Sequence, residues 1–159
     1  MRSVAEHLAA CLDIAQAAAP LDVVLLDAVG CVLAEDVVAQ LDLPVVDMAG
    51  LDGYAVAVDD LAGVFPGRPV RLDVVDDVRA GDVRPIRLVR GSAVIIDSGA
   101  PMPQGADAVV PWTATDRGTS RVEVRARVES GANVRRRGED VTAGTTVLPK
   151  GSRISARQI

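Results

Sequence analysis

The stretch Ala93-Val94-Ile95-Ile96-Asp97-Ser98-Gly99 decides the fold class, because a continuous apolar run passes directly into a glycine turn. Such a run predicts a strand that is buried on both faces. Residues 70–74 alternate apolar and charged side chains, and residues 121–128 alternate even more regularly, so both predict half-buried strands. Strands this short, separated by glycine turns, predict a mainly β (α+β) protein with coiled or barrel-like β-sheets.

The two ends of the chain carry helix signals. Ser3-Val4-Ala5-Glu6 has the form of a capping box, and it predicts an N-terminal helix over 3–19 that Pro20 ends. After Pro20, residues 22–26 and 31–40 read as short strands around a turn at 27–30. A second capping-box pattern predicts a helix start at 155–159, which indicates part of a longer protein or a shortened paralogue. A chance match of four residues is the alternative.

Composition excludes several classes of protein. The chain has 159 residues, of which 49% are apolar and 25% charged, which fits one compact domain or two small ones. No apolar stretch is long enough to span a bilayer, and we expect no membrane association and no signal peptide. The two cysteines form no CxxC motif, which argues against a zinc site and fits a reducing cytoplasm. The lone His7 reads as a solvated or packing residue.

The charge is unevenly distributed along the chain. Residues 1–60 hold eleven acidic groups and one basic group, whereas the remainder holds sixteen basic and eleven acidic groups. One interpretation is two differently solvated surfaces. The other is an acidic face and a basic edge that meet at a site or an interface. Nucleic-acid binding through the arginines is opposed by the net charge of −5 and by an aromatic content of 2%.

Two segments place a polar group beside glycine at the end of a strand. In residues 43–56, Asp52 precedes Gly53, and a carboxylate at a strand mouth can hold hydrated Mg²⁺ or accept hydrogen bonds from a ligand. In residues 96–110, Ser98 offers a hydroxyl while Gly99 lets the backbone approach a ligand closely. The alternatives are an ordinary Asp-Gly turn and a rigid turn between two strands. Because His7 is the only histidine, a Ser/His/Asp triad is excluded.

A third segment, residues 131–140, carries three consecutive arginines, Arg135 to Arg137, followed by Glu139 and Asp140. Guanidinium groups suit oxyanions such as phosphate or molybdate. The acids can hold a metal or neutralise the arginines. The alternative is a strand with exposed arginines that pair with those two acids, at about 0–1 kcal/mol for each pair.

In this order and spacing, the three segments resemble the MoeA and gephyrin E-domain family, the molybdopterin molybdenumtransferases. The matching patterns are Leu-Pro…Asp…Asp-Gly-Tyr-Ala at 43–55, Gly-Ala-Pro-x-Pro-x-Gly-Ala-Asp-Ala-Val-Val at 99–110 and Gly-x-Asn-Val-Arg…Gly-Glu-Asp at 131–140. The tail, with Leu-Pro-Lys-Gly at 148–151, also fits. The resemblance covers essentially the whole chain.

The resemblance implies an architecture and a reaction. Family members transfer molybdenum from molybdate to adenylated molybdopterin with Mg²⁺, as elongated cytoplasmic homodimers. By resemblance, residues 1–45 with 140–159 form an elongated linking domain and residues 46–139 form a β domain. The β domain of one subunit faces the molybdopterin-binding domain of the other across the active cleft. That domain and the C-terminal barrel are absent from this sequence.

The resemblance also implies roles for individual residues. It places three cleft-lining polar residues at family catalytic positions: Asp52, Ser98 and Asp140. It implies cofactor-binding positions at Gly53, Gly99 and Arg137, and an Mg²⁺ site at Asp52 and Asp140. Two stretches depart from the family pattern: residues 48–51 replace a polar pair by apolar residues, and residues 111–113 lose an acid.

Two functions follow as expectations. The first is the N-terminal portion of a molybdenum insertase, which contributes one wall of an inter-subunit cleft and is inactive alone, so the status of this chain as an enzyme stays open. Molybdate, molybdopterin and Mg²⁺ belong to the full-length family, and none is expected to bind tightly to this chain. The second is a non-catalytic dimerisation or docking module. Partners would be a second copy and a molybdopterin-binding domain in cis or in trans.

Overall fold

The computed structural model describes residues 2–15 and 18–159. The chain divides into two compact units, Met1–Val37 with Thr146–Ile159 and, separately, Val38–Thr145. We call the first the terminal unit and the second the β unit. The architecture is mostly β with one α-helix, and its main sheet is curled like half a barrel, which confirms the predicted fold class.

Nine short strands occur in the described part of the chain: β1 (Val37–Val38), β2 (Met48–Ala49), β3 (Gly53–Val56), β4 (Val70–Val78), β5 (Ser92–Ile96), β6 (Ala108–Pro111), β7 (Arg121–Val124), β8 (Val134–Arg135) and β9 (Thr146–Leu148). The five-stranded sheet has the order β6-β3-β5-β4-β7, and two-stranded sheets join β1 to β9 and β2 to β8. Only the β4–β5 pair of the main sheet is parallel; its other neighbours run antiparallel. Short 3₁₀ helices lie at Leu25–Ala28, Val58–Leu61 and Trp112–Ala114.

Strand β5 occupies the centre of the main sheet and is covered on both faces, as its apolar run predicts. One face contributes Ala93 to a core cluster with Tyr54 and Leu72. The opposite face contributes Val94 and Ile96 to a second cluster. A sheet with a core on each side needs continuous apolar runs in its central strands rather than alternation, and β5 supplies one.

A β-bulge divides strand β4 between the two clusters. Leu72 packs in the first cluster and Val78 in the second, although an even spacing normally keeps side chains on one face. The pairing with β5 shifts register between Val74 and Asp76, which inserts one residue and leaves Val75 half-exposed. The bulge therefore reverses which face the following side chains point to. The predicted alternation at 70–74, which precedes the bulge, is confirmed.

Strand β7 is shorter than predicted. The alternation over 121–128 is borne out for Arg121–Val124, but residues 125–128 lie outside the strand. In the ladder Val70 pairs with Val124, so the next partner of β7 would be Pro69. Pro69 lies outside β4, and beyond it the Arg68 N–H donates to Phe65 O while the Arg125 N–H donates to Ala114 O, so the ladder ends at Val124.

Helix α1 (Val4–Ile14) begins with the predicted capping box: Ser3 Oγ accepts from the Glu6 N–H and the Glu6 carboxylate accepts from the Ser3 N–H. Its predicted extent over 3–19 is wrong. The cap at Ala15 is extended and residues 18–20 are not helical, while residues 16 and 17 lie outside the described residues. None of its described residues is buried, so the helix lacks the tertiary packing from which most helical stability comes.

The predicted strands after Pro20 are largely wrong. Residues 22–26 form no strand, since the Asp27 N–H donates to Val24 O and a 3₁₀ turn begins at Leu25. Of residues 31–40, only Val37–Val38 is a strand, with a single bridge from Val32 to Arg153. The apolar side chains of these residues are mostly exposed, so they do not mark a buried face. The spacing of apolar residues alone could therefore not distinguish a strand from irregular backbone.

The predicted helix start at 155–159 is a single hydrogen-bonded turn. The Gln158 side chain accepts from the Ser155 N–H at 2.9 Å, and the Gln158 N–H donates to Ser155 O. One half of the capping box is thus formed without a helix following it in the described residues. Among those residues, no helix is long and apolar enough to cross a membrane.

Substitution of Gly53 by alanine should lower the free energy of unfolding by about 3 kcal/mol. A Cβ atom there would lie 2.1 Å from the Val110 carbonyl oxygen, so β3 or β6 would have to move. Gly63→Ala is the matched control, because its Cβ would meet only a Val70 methyl at 3.3 Å. Urea unfolding measures both variants, and equal loss in the two would contradict this account.

Candidate functional site

Asp52 and Ser98 are in direct contact. Gly53, the first residue of β3, pairs with Ile96, the last residue of β5. Asp52, which precedes Gly53, and Ser98, which follows Ile96 by two residues, therefore meet at the same end of the two strands. Asp52 Oδ1 accepts from the Ser98 N–H at 2.7 Å, and Ser98 Oγ donates to Gly50 O at 3.4 Å. Both side chains are exposed, so the carboxylate and the hydroxyl are accessible to a ligand.

Glycine is required at positions 53 and 99, on either side of this contact, for different reasons. Gly53 lies against the Val110 backbone, where no Cβ fits. Gly99 has a φ of 81°, a conformation that glycine adopts without strain, and its N–H donates to Ala49 O at 2.8 Å. Space is not the constraint at Gly99, since the nearest atom to a Cβ would be Ala80 Cβ at 3.9 Å.

Asp140 forms an ion pair with Arg135, whose Nη2 is 2.5 Å from both carboxylate oxygens. The hydrogen bond and the charge of Asp140 raise the pKa of the Arg135 guanidinium. Arg135 Cγ lies 3.7 Å from the position that a Cβ on Gly50 would take. The Asp52–Ser98 contact and the Arg135–Asp140 pair therefore adjoin the same residue, Gly50, without a direct bond between them.

The other two arginines are bound by acids that the sequence analysis did not select. Arg136 Nη1 donates to Asp47 at 2.7 Å, and Arg137 Nε donates to Asp42 at 2.6 Å. The predicted alternative, pairing with residues 139 and 140, applies to Arg135 alone, because Glu139 accepts from a backbone N–H. The only signal for these pairs was the acidic excess of residues 1–60.

Backbone donors hold both new carboxylates in their charged form. The Ala143 N–H, and then Arg137, lower the pKa of Asp42. The Arg137 N–H, and then the Arg136 side chain, lower the pKa of Asp47. These contacts attach the arginine segment to the chain around the Leu43-Pro44 dipeptide. We call Asp42, Asp47 and Arg135 to Arg137 the latch.

The acidic residues of the site offer few free oxygens to a metal ion. Residues 2–15 and 18–159 contain no group of three or more His, Cys, Asp or Glu side chains that could hold a metal ion. Asp52 Oδ1 is taken by Ser98, and Arg135 covers both oxygens of Asp140. Asp52 fits the role of one Mg²⁺ ligand, which suffices where a substrate supplies the other oxygens. Asp140 fits only after Arg135 leaves it.

An open cavity of about 750 Å³ lies beside the site in the β unit. Its wall is largely apolar and includes Val46, Met48 and Met102. Asp47 of the latch and Gly99 belong to the same wall. Of residues 48–51, which depart from the family pattern, Met48 contributes to this apolar wall next to the polar residues.

Comparisons with known proteins identify the family. The family model described as "MoeA N-terminal region (domain I and II)" matches residues 2–159. The chain belongs to the MoeA family. Molybdopterin molybdenumtransferase 2 of Mycobacterium tuberculosis is 46% identical over 151 residues, which cover 95% of this chain and 37% of the relative. Molybdopterin molybdenumtransferase 1 of the same organism is 40% identical over 174 residues, which cover all of this chain and 41% of the relative.

Solved MoeA structures share the fold. A molybdopterin biosynthesis MoeA protein from Pyrococcus horikoshii aligns with a TM-score of 0.80 and 36% identity, over 85% of this chain and 36% of that one. The relatives match this MoeA chain through their N-terminal part, and the chain spans about two fifths of their length. Their names are consistent with a role in molybdenum cofactor biosynthesis.

Asp52→Ala should accelerate amide hydrogen exchange at Ser98 and lower the free energy of unfolding by about 1 kcal/mol, because the Ser98 N–H loses its acceptor. Asp52→Asn keeps an acceptor oxygen and should leave Ser98 exchange near that of the unmodified chain. NMR-detected exchange measures both. Equal protection of Ser98 in all three proteins would show that the carboxylate does not hold this loop.

The latch should make stability depend on acid pH. A carboxylate whose folded pKa is lowered stabilises the folded state above the ordinary aspartate pKa of about 3.9, and this contribution is lost as the pH falls below it. The double variant Asp42→Asn with Asp47→Asn should therefore lose less stability between about pH 5 and pH 2. Urea unfolding across that range tests this.

Asp59→Asn is the matched control for the latch, because Asp59 also pairs with an arginine, Arg90, but is 79% exposed. Its acid dependence should follow that of the unmodified chain. If the double variant also follows the unmodified chain, the latch carboxylates contribute nothing to the acid sensitivity.

Proposed function

We propose that the chain is the N-terminal portion of a molybdenum insertase, which transfers molybdenum from molybdate to adenylated molybdopterin. The observation that carries the proposal is the Asp52–Ser98 contact, found next to the Arg135–Asp140 pair in a chain of the MoeA family. In this proposal the chain supplies one wall of an inter-subunit cleft. The chain alone is inactive, since it spans about two fifths of the relatives whose name states the transfer.

The wall combines charge and backbone access. Asp52 and Ser98 present a carboxylate and a hydroxyl, Gly53 fixes the strand beside Asp52 against Val110, and Gly99 keeps the backbone close to the ligand. Mg²⁺, when bound, would neutralise the oxyanions of the substrates, with Asp52 as one ligand. Asp140 would be a second ligand if Arg135 bound the oxyanion in its place, and Arg137 would add a positive charge for cofactor binding. Each arginine keeps guanidinium donors beyond its one acidic partner.

A second copy of the chain and a molybdopterin-binding domain, in cis or in trans, are the proposed partners. The terminal unit supports this, because Ile154 is its one buried hydrophobic residue among those described. Leu8, Leu12 and Leu26 are each more than half exposed. Exposed apolar area of this kind is typical of surfaces that another chain or domain covers. The reaction would take place in the cytoplasm.

A non-catalytic dimerisation or docking module is the second candidate. Met48 and Ala49 stand where the family pattern has a polar pair, and Met48 lines the apolar cavity. Loss of polar contacts there would keep the fold and remove the chemistry. Both candidates predict binding to a molybdopterin-binding protein, and only the insertase predicts turnover.

The purified chain should show no molybdenum insertion when incubated with adenylated molybdopterin, molybdate and Mg²⁺. Addition of a separate molybdopterin-binding domain from a relative should restore insertion. Asp52→Asn should then reduce the restored rate at least about tenfold, because it removes the charge but keeps the Ser98 hydrogen bond. Formation of molybdenum cofactor, followed by reconstitution of a molybdoenzyme, measures the rate.

Asp59→Asn is the control and should restore insertion as well as the unmodified chain does. Binding of the added domain without turnover would favour the docking module. Turnover by the purified chain alone would contradict the proposed incompleteness of the site.

A further inference from the structure

The imidazole of His7 and the thiol of Cys11 are neighbours on helix α1. Cys11 Sγ lies 3.8 Å from His7 Nε2, and both residues are exposed. A spacing of four residues places side chains one above the other on a helix. We propose that His7 and Cys11 form a two-ligand site for a thiophilic divalent cation such as Zn²⁺ or Cd²⁺.

The distance between the two atoms suits a shared metal. A zinc ion binds cysteine sulfur at about 2.3 Å and histidine nitrogen at about 2.05 Å, and tetrahedral geometry then separates the two ligand atoms by about 3.6 Å. The observed 3.8 Å is close to that separation. A small side-chain rotation is sufficient to bring both atoms into the coordination sphere.

The helix prepares this pair for binding. Its N-terminus is fixed by the Ser3–Glu6 capping box, and His7 N–H donates to Ser3 O at 3.0 Å, so the backbone under the first ligand is already helical. Glu6, the carboxylate next to His7 in sequence, is engaged with the Ser3 N–H at 2.7 Å. A donor set of one nitrogen and one sulfur selects zinc-like cations over Mg²⁺ or Ca²⁺, which require oxygen ligands.

The site differs from a closed structural zinc site, against which the cysteine spacing argues. No group of three or more ligating side chains occurs among the described residues, so water or an exogenous donor fills the remaining positions. A site with open positions exchanges its metal readily and accepts a further ligand. This inference is independent of the insertase proposal, because it concerns the terminal unit alone.

Cys31 provides an internal comparison in the same unit. Its thiol is also exposed and reduced, but Cys31 Sγ donates to the Asp27 carbonyl oxygen at 3.8 Å instead of facing an imidazole. A single thiolate binds the same cations more weakly than a thiolate with an adjacent imidazole. Cys31→Ala is therefore the matched control for Cys11→Ala.

Titration of the reduced full chain with Cd²⁺ alone, followed by the ultraviolet charge-transfer band of the cadmium–thiolate bond, tests the proposal. We expect a band that saturates at one Cd²⁺ per chain. Cys11→Ala should abolish it, and His7→Ala should weaken apparent affinity at least about tenfold while the band remains. Cys31→Ala should leave both band and affinity unchanged. Far-ultraviolet circular dichroism verifies that each variant keeps its fold.

Two results would overturn the proposal. One is a band that survives Cys11→Ala and disappears with Cys31→Ala, which would assign the metal to the other thiol. The second is an unchanged affinity in His7→Ala, which would reduce the site to an ordinary exposed cysteine. Neither result depends on whether the chain takes part in molybdenum insertion.

Discussion

The close approach of Gly53 to the Val110 carbonyl is the constraint on which the β unit depends. A Cβ at this position would lie 2.1 Å from that oxygen, so only glycine lets β3 fit between β5 and β6. The register that results places Gly53 opposite Ile96 and brings Asp52 onto the Ser98 N–H. The same glycine thus sets the packing of the sheet and the geometry of its polar edge.

Both edge strands of the main sheet form hydrogen bonds with neighbouring segments of the chain. Along β7, Asp116 Oδ1 accepts from the Glu123 N–H at 2.9 Å. Along β6, the Val109 N–H donates to Ala132 O, and Asn133 Nδ2 donates to Val109 O. Because these bonds satisfy strand groups that another chain could otherwise pair with, the edges do not invite aggregation.

Sequence patterns predicted the parts of the fold in which local residues decide the outcome. The run at 93–96 and the capping box at Ser3 were predicted correctly, since burial and cap chemistry are local properties. The end of β7 at Val124 depends on where its partner strand β4 begins, and the bulge in β4 depends on pairing with β5. Residues distant in the sequence set such boundaries, so the periodicity of one segment cannot predict them.

The same distinction explains what the sequence revealed of the candidate site and what it did not. Asp52 and Ser98 each stand beside a glycine at a strand end, so their exposure at one edge was predictable from local signals. Asp42 and Asp47 carry no such signal, and their partners Arg137 and Arg136 lie about ninety residues away. The only indication of these ion pairs was the uneven charge, with acidic residues concentrated in the first part of the chain and basic residues in the rest.

In the β unit the acidic segment and the arginine segment meet in the latch. An exposed ion pair of this kind contributes only about 0–1 kcal/mol, so charge attraction alone would not fix the arginines. The latch is more specific because each aspartate also accepts a backbone N–H, from Ala143 on Asp42 and from Arg137 on Asp47. Backbone donors do not change rotamer, so they define where the segment lies, while the guanidinium groups keep donors for other acceptors. The latch thus positions Arg135 beside Gly50 and leaves cationic groups beside the candidate site.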